Sequence, residues 1–290
     1  MITGALASLL GRLPAGPAAW IGRRFGDLAF ATLGRRRRIA IRNLAVAFPD
    51  LAPAERRRIA RRASQHVGLV LVELCRVRAR PLEETLRGIS VEGLEHLEKV
   101  MAGHGRALAL TGHLGNWELL ATANRLATYR LAIVVRPLDS PALNTLAEEI
   151  RSKTGVELID KRGALRPVLA ALRRGGLVGI LLDQNAARHE AVFVPFFGRD
   201  ASTSKSIAVL ALRTETPVLP IFIRRERDGT HRVTVEPPLP MPATNDPDAA
   251  VVELTASCTA AIEAAIRRTP DQWLWSHDRW RTRPSGEPAS

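Results

Sequence analysis

The stretch Ala107-Leu-Ala-Leu-Thr-Gly-His-Leu-Gly-Asn-Trp-Glu-Leu-Leu-Ala-Thr-Ala-Asn124 decides the fold. Ala107–Leu110 is a short apolar run that reads as a buried strand. Trp117–Asn124 carries a helical pattern, and a glycine-bearing turn joins the two. Working outward, the same alternation repeats through the rest of the chain. Apolar runs at Leu131–Val135, Val156–Ile159, Leu177–Leu182, Val218–Ile223 and Arg232–Val235 are separated by helical patterns near 116–127, 141–152, 163–174 and 203–213. Such β/α alternation predicts an α/β domain with a mixed, largely parallel central sheet covered by helices. Asp228-Gly229, within the Arg224–Thr230 turn, predicts an antiparallel hairpin between the last two strands. Helices are expected over 54–79, 91–103 and, after a proline-rich connector, about 247–268.

The turn after the first of these strands carries the chemistry. His113 sits at the carboxyl end of a strand, where open α/β sheets place their ligands. Gly115 permits a tight turn and leaves space beside the imidazole. Glu118, about one helical turn on, is placed to accept the imidazole N–H and so fix the tautomer. No Ser or Cys nucleophile accompanies the pair, so the simplest chemistry has His113 activate a hydroxyl of the substrate itself. Backbone N–H groups of Gly115 and Asn116, at the expected helix start, are candidates to hold a developing oxyanion.

Beyond the pair, the run from Thr111 to Glu118 resembles the His-x4-Asp/Glu box of glycerolipid acyltransferases, in the His-x-Gly-Asn-Trp-Glu form of the bacterial lipid A late (lauroyl and myristoyl) acyltransferases. The resemblance continues in order along the chain: Arg36–Leu44 with Phe48-Pro49, Arg136–Asp139, Leu182–Asn185, Val192–Gly198, Ala201–Thr203, Pro217–Pro220, and Gln272–Trp275 through Pro284. Two positions depart from it: Ser206 and Glu215 each stand where Gly is expected. The resemblance implies an acyltransferase that moves a fatty acyl chain from a thioester to a glycolipid hydroxyl. A lipid A precursor is the first acceptor to consider, and another glycolipid such as a phosphatidylinositol mannoside is the alternative, beside a lipid-binding homologue without activity. No cofactor or metal is implied. The donor is the thioester of acyl carrier protein or of coenzyme A.

In this reading His113 and Glu118 are catalytic. Arg136 pairs with an acceptor phosphate or assists the oxyanion, and Asp183 orients His113 or Arg136 or caps the next turn. Asn116, Gln184, Thr203 and Lys205 complete the substrate-contacting candidates. Trp117, Phe193, Phe196 and Phe197 line either an acyl channel or the core, and Trp273, Trp275 and Trp280 serve either a headgroup interface or the core.

The net charge of +13 is unevenly spread. Residues 1–80 hold sixteen Arg against four acids, whereas the remainder is close to neutral. Pro14, Pro17, Arg23, Arg24 and Asp27 interrupt the first apolar stretches, so residues 1–50 lack the run of about 20 apolar residues that a spanning helix needs. Leu9, Leu10, Leu13, Trp20, Ile21, Phe25, Leu28 and Phe30 alternating with Arg predict an interfacial amphipathic segment, with Arg35–Arg38 and Arg56–Arg58 facing anionic headgroups. Residues 1–50 are thus expected to associate with a membrane, at the cytoplasmic face of the bacterial inner membrane in peripheral or monotopic fashion. Residues 51–284 form the acyltransferase domain and 285–290 a disordered tail. A nucleic-acid partner is not expected, because one Tyr, no zinc-ligand spacing and no recognition module accompany the arginines. Cys75 and Cys258 lie in helical patterns far apart and are expected as buried thiols. The remaining histidines (His66, His96, His104, His189, His231, His277) lack metal-ligand spacing.

Overall fold

A computed structural model describes residues 2–136 and 140–286; the Pro137–Asp139 part of the Arg136 box and residues 287–290 of the expected tail lie outside the described residues. Three helices open the chain: α1 (Ile2–Arg12), α2 (Ala15–Thr32) and α3 (Gly34–Ala47). The long α4 (Pro53–Ala79) and short α5 (Leu82–Arg87) lead to β1 (Ile89–Glu92). The α/β part follows as α6 (Leu94–His104), β2 (Arg106–Thr111), α7 (Leu119–Ala127), β3 (Leu131–Val135), α8 (Pro141–Thr154), β4 (Glu157–Asp160), α9 (Leu165–Arg173) and β5 (Gly176–Leu181). A separate hairpin of β6 (Ala191–Phe196) and β7 (Arg199–Ser204) precedes α10 (Ser206–Thr214), β8 (Val218–Arg225), β9 (His231–Val235) and α11 (Pro247–Arg268).

The main sheet has seven strands in the order β1-β9-β8-β2-β5-β3-β4. All neighbours are parallel except the β8–β9 hairpin expected from the Asp228-Gly229 turn. In the central β2 every residue after Arg106 is buried, because helices cover both faces and an apolar run without alternation is what such a strand requires. Register then places the functional edge. Thr111 pairs with Leu181, so the residues two positions on, His113 and Asp183, leave the sheet level with each other. Ile133 pairs with Gly179, which brings Arg136 to the same carboxyl edge.

Three sheet elements, β1, β6 and β7, differ from the sequence-based expectation. Ile89–Glu92 is a strand, and the helix read from residue 91 begins at Leu94, after Gly93. Arg199–Ser204 is a strand whose Thr203 and Ser204 were expected to start a helix; pairing with β6 organises a polar stretch that has no strand pattern of its own. Glu215 ends α10 in the left-handed conformation (φ 49°), which is why a glycine suits that position.

The helices of residues 1–50 are built into the same core as the rest. One stripe of α2, Ala18, Gly22, Gly26 and Phe30, is buried at helical spacing against α4. The two backbones approach so closely that a Cβ on Gly68 would lie 2.0 Å from the Gly22 carbonyl oxygen. Leu44 of α3 is fully buried in the main core beside Phe196, Trp273 and Trp275. Truncating it should therefore destabilise the whole domain rather than loosen an appendage. Leu44→Ala is expected to cost about 2–5 kcal/mol and to lower one cooperative transition in urea denaturation monitored by tryptophan fluorescence. A separable segment would leave that transition unchanged.

Candidate active site

Three distant stretches converge at the carboxyl edge. The loop Gly112–Glu118 follows β2, Leu182–Asn185 follows β5, and Gln272–Trp275 crosses beneath both. The crossing is a short antiparallel clamp: the Gly115 N–H donates to the Gln272 carbonyl at 3.1 Å, and the Leu274 N–H to the His113 carbonyl at 3.2 Å. Gly115 is in the left-handed region (φ 59°), and a Cβ there would lie 2.0 Å from the Ile223 carbonyl oxygen. The space this glycine leaves is thus occupied by the β8 backbone and not by the imidazole.

The imidazole N–H belongs to Asp183. His113 Nδ1 donates to Asp183 Oδ1 at 2.8 Å, and the His113 backbone N–H donates to Oδ2, also at 2.8 Å. Trp273 Nε1 donates to the same Oδ2 at 2.8 Å. A carboxylate can only accept, so the proton sits on Nδ1 and Nε2 carries the lone pair. Gln184, exposed, brings its amide nitrogen to 3.3 Å from Nε2, and Trp117 packs edge-on at 5.0 Å between ring centroids.

Glu118 does not take the role expected of it. The helix begins at Leu119, so residues 113–118 form an irregular loop and Glu118 turns toward α8. There Arg151 clamps it with two bonds, Nη2 to Oε1 at 2.6 Å and Nε to Oε2 at 3.0 Å. Both side chains are largely buried. Glu118 still acts on His113 through its charge. Burial disfavours the imidazolium, but Asp183, by charge and hydrogen bond, and then Glu118 outweigh it and raise the His113 pKa above its ordinary value. Asp183 shows the converse: burial would raise its pKa, and the His113 and Trp273 donors hold it well below the usual carboxylate range.

Several other candidates are taken up by the fold, and others remain exposed. Phe196 and Phe197 are buried in an aromatic core with Phe48, Trp273, Trp275 and Trp280. The tryptophans therefore close the core and do not face headgroups. Phe193 is half-buried under the Arg188 guanidinium. Thr203 is fully buried, and its hydroxyl accepts from Arg279 Nη2 at 2.6 Å, so it cannot meet a phosphate. Lys205 is exposed just ahead of α10. Asn116 is fully buried, its amide donating to Glu73 Oε2 at 2.8 Å. The Gly115 N–H is spent on Gln272 and is not an oxyanion donor. Arg136 is exposed at the end of β3.

Sequence reasoning missed the supports. Glu73 on α4 accepts from Asn116, from Arg225 Nε at 2.8 Å and from His231 Nε2 at 3.2 Å; burial opposes its charge, but His231 and then Arg225 hold its pKa at about 2. Arg151 and His277 were also missed. His277 Nε2 accepts the Asn185 N–H at 3.0 Å and so keeps the Asp183–Asn185 turn in place. The sequence signal available was Glu73, the single acid in the apolar carboxyl-terminal half of α4.

A family model for the bacterial lipid A biosynthesis acyltransferases matches residues 2–282. The chain belongs to that family. The lipid A biosynthesis lauroyltransferase of Escherichia coli (strain K12) is 30% identical over 273 residues, covering 93% of this chain and 87% of that protein. The palmitoleoyltransferase of the same strain is 28% identical over 278 residues, covering 95% and 89%. Among solved structures, a 1-acyl-sn-glycerophosphate acyltransferase from Thermotoga maritima overlays with a TM-score of 0.38 at 14% identity, over 87% of this chain and 99% of that one. The family membership and acyltransferase activity inferred from the ordered sequence boxes are thus shown, and the residues clustered here are where this acyltransferase has its candidate catalytic groups.

The geometry sets a pH dependence. Only the unprotonated Nε2 can accept a proton, so the rate should fall as pH drops through the His113 pKa, which Asp183 raises above the ordinary imidazole value. Asp183→Asn removes the charge that raises this pKa and leaves burial, which lowers it. The acid limb of kcat/KM should therefore move to lower pH while the plateau falls by on the order of 10⁴-fold, as when a triad histidine loses its carboxylate. A pH–rate profile of the variant checks both; an unmoved limb would detach Asp183 from the imidazole.

Proposed function

We propose that this acyltransferase carries out secondary acylation of a lipid A precursor, moving a fatty acyl chain from a thioester of acyl carrier protein or coenzyme A to a hydroxyl of the glycolipid. The observation that carries the reading is the orientation of His113, whose Nδ1 is tied to the buried Asp183 while its side chain remains 20% exposed. Nε2 takes the proton of the acceptor hydroxyl as its oxygen bonds to the thioester carbonyl carbon. The C–S bond then breaks, and the imidazolium returns the proton to the departing thiolate. Asp183 and Glu118 stabilise the imidazolium by charge. Gln184 and Arg136 stand at the same edge as donors for the carbonyl oxygen or an acceptor phosphate. Lys205, Phe193 and Trp117 remain candidates at its periphery.

Membrane association follows from the outer faces of α1 and α2. Leu6, Leu9, Trp20, Phe25 and Leu28 are all exposed there, with Leu33 just past the end of α2, a concentration that marks an interaction surface. We read it as lying in the headgroup region of the inner membrane on its cytoplasmic side. Among the described residues one helix, α11, is long and apolar enough to span a bilayer. Its buried Leu254, Cys258, Ile262 and Ile266 make it a core helix of this domain.

Two experiments test the reading. His113→Ala should reduce acyl transfer by the roughly 10²–10⁴-fold of general-base catalysis or more, and lipid A from cells expressing only that variant should lack one acyl group in its mass spectrum. Full acylation by the variant would overturn the mechanism. In vesicle flotation, replacing Leu6, Leu9, Trp20 and Leu28 by Ser should abolish binding to anionic vesicles, whereas high salt alone should leave much of the wild type bound, since salt screens only the charge contribution.

A further inference from the structure

The carboxyl edge of the sheet continues past β2 to β8 and the start of β9, and there the molecule holds a cavity of about 490 Å³ that the chemistry at His113 does not use. Its walls come from α2, α4, α5 and the β8–β9 turn, with Leu119 of α7 on the side of the catalytic loop. Five arginines line it: Arg23, Arg76, Arg80, Arg225 and Arg227. The acids present, Glu73, Glu84 and Asp228, are fewer.

The five are not equivalent. Arg80 pairs with Glu84 at 2.9 Å and bonds the Gly11 carbonyl at 3.0 Å, Arg76 bonds the Leu13 carbonyl, and Arg225 pairs with Glu73 at 2.8 Å. Those three are committed to the fold. Arg23 on α2 and Arg227 on the turn make no hydrogen bond or ion pair among the described residues, although they face the cavity from opposite walls. Asp228 next to Arg227 is itself engaged by the Thr230 N–H and hydroxyl, at 2.9 and 2.7 Å. Burial, and then the neighbouring Arg80, lower the Arg76 pKa, against the opposing charges of Glu73 and Glu84.

We propose that this cavity binds a phosphate group carried by the glycolipid acceptor, with Arg23 and Arg227 as the clamp. The inference rests on the reading of the chain as an acyltransferase for such a glycolipid. Guanidinium forks match phosphate oxygens in pairs, and the volume accommodates a phosphate with part of a sugar ring. The acceptor is favoured over the donor by position. The wall that bears Arg23 belongs to the helix that exposes Trp20, Phe25 and Leu28, so a headgroup of a lipid lying against that face reaches the cavity directly. On the other side Glu73 forms part of the lining and bonds Asn116 in the catalytic loop at 2.8 Å, so a phosphate held here lies beside the loop that bears His113. Arg136 stands beyond β5 on the opposite flank of His113, and the two basic groups bracket the reaction edge.

The test uses the full-length protein in detergent micelles, the R23Q/R227Q double variant, a phosphorylated lipid A precursor, the same lipid after phosphatase treatment, and an acyl thioester donor. Both arginines are exposed and unpaired among the described residues, so their replacement spares the fold. The expected result is a rise of about tenfold or more in the KM for the phosphorylated acceptor, from the loss of charge-assisted bonds. The KM for the dephosphorylated acceptor should be the same in variant and wild type, and the donor KM should move less than about twofold. An unchanged acceptor KM, an equal rise for both acceptors, or a rise confined to the donor would each overturn the proposal. A wild type that acylates neither lipid would overturn the functional reading and the proposal with it.

Discussion

A carboxylate buried to the extent of Asp183 is tolerated only when its oxygens are fully engaged, because an unpaired buried charge costs several kcal/mol. That constraint organises the site. Both oxygens are filled by donors from two places distant in sequence: the backbone and ring of His113, and the indole of Trp273. Satisfying the charge fixes the backbone after β2, the plane of the imidazole and the path of the carboxyl-terminal segment at once. The aromatic core under that segment, with Phe196 and Trp275 packed on Trp273, then resists the indole's movement. Catalytic geometry and core packing are here one structure, since the tryptophan that supports the core also supplies a hydrogen bond to the acid.

What was legible in the sequence was local. An apolar run, a glycine-bearing turn and a helical pattern placed His113 at a strand end, and six of the seven apolar runs that form strands were read as such, β6 being the exception. The choice of partner for His113 was not local. Glu118 is near in sequence, whereas Asp183 is near because β2 and β5 pair in a register that levels Thr111 with Leu181. Periodicity carries no information on that register. Thr203 reads as a polar helix cap, and only the pairing of β6 with β7 shows its hydroxyl turned inward to Arg279. The tryptophans near the carboxyl terminus, interleaved with arginines, fit a headgroup belt as well as a core; burial of Arg279 with them decided for the core. The ordered boxes of the family resemblance succeeded where periodicity could not, because the boxes are the stretches that the fold brings together.

The basic amino-terminal quarter divides between two tasks. Arg37, Arg76 and Arg80 bond backbone carbonyls at helix ends, and Arg42, Arg61 and Arg78 pair with acids on other elements. Much of the charge excess therefore holds helices together by satisfying carbonyls that a helix terminus leaves without partners. The arginines that remain exposed lie on helices whose inner stripe is small and apolar and whose outer face carries large apolar side chains. Such a helix is amphipathic toward two partners, the core on one side and an interface on the other.

Two stretches far apart in the chain, α3 and residues 275–278, are fastened to each other. Asn43 of α3 donates to the carbonyls of Trp275 and His277, at 2.8 and 2.6 Å, and Arg42 pairs with Asp278 at 2.5 Å. At a translation rate of roughly 5–20 residues per second, the 232 residues between Asn43 and Trp275 take on the order of ten to fifty seconds to be made. For that interval α3 lacks the turn it clasps, and the imidazole lacks the indole that helps seat its acid. The site is therefore assembled in full only once residues 273–278 meet α3 and Asp183.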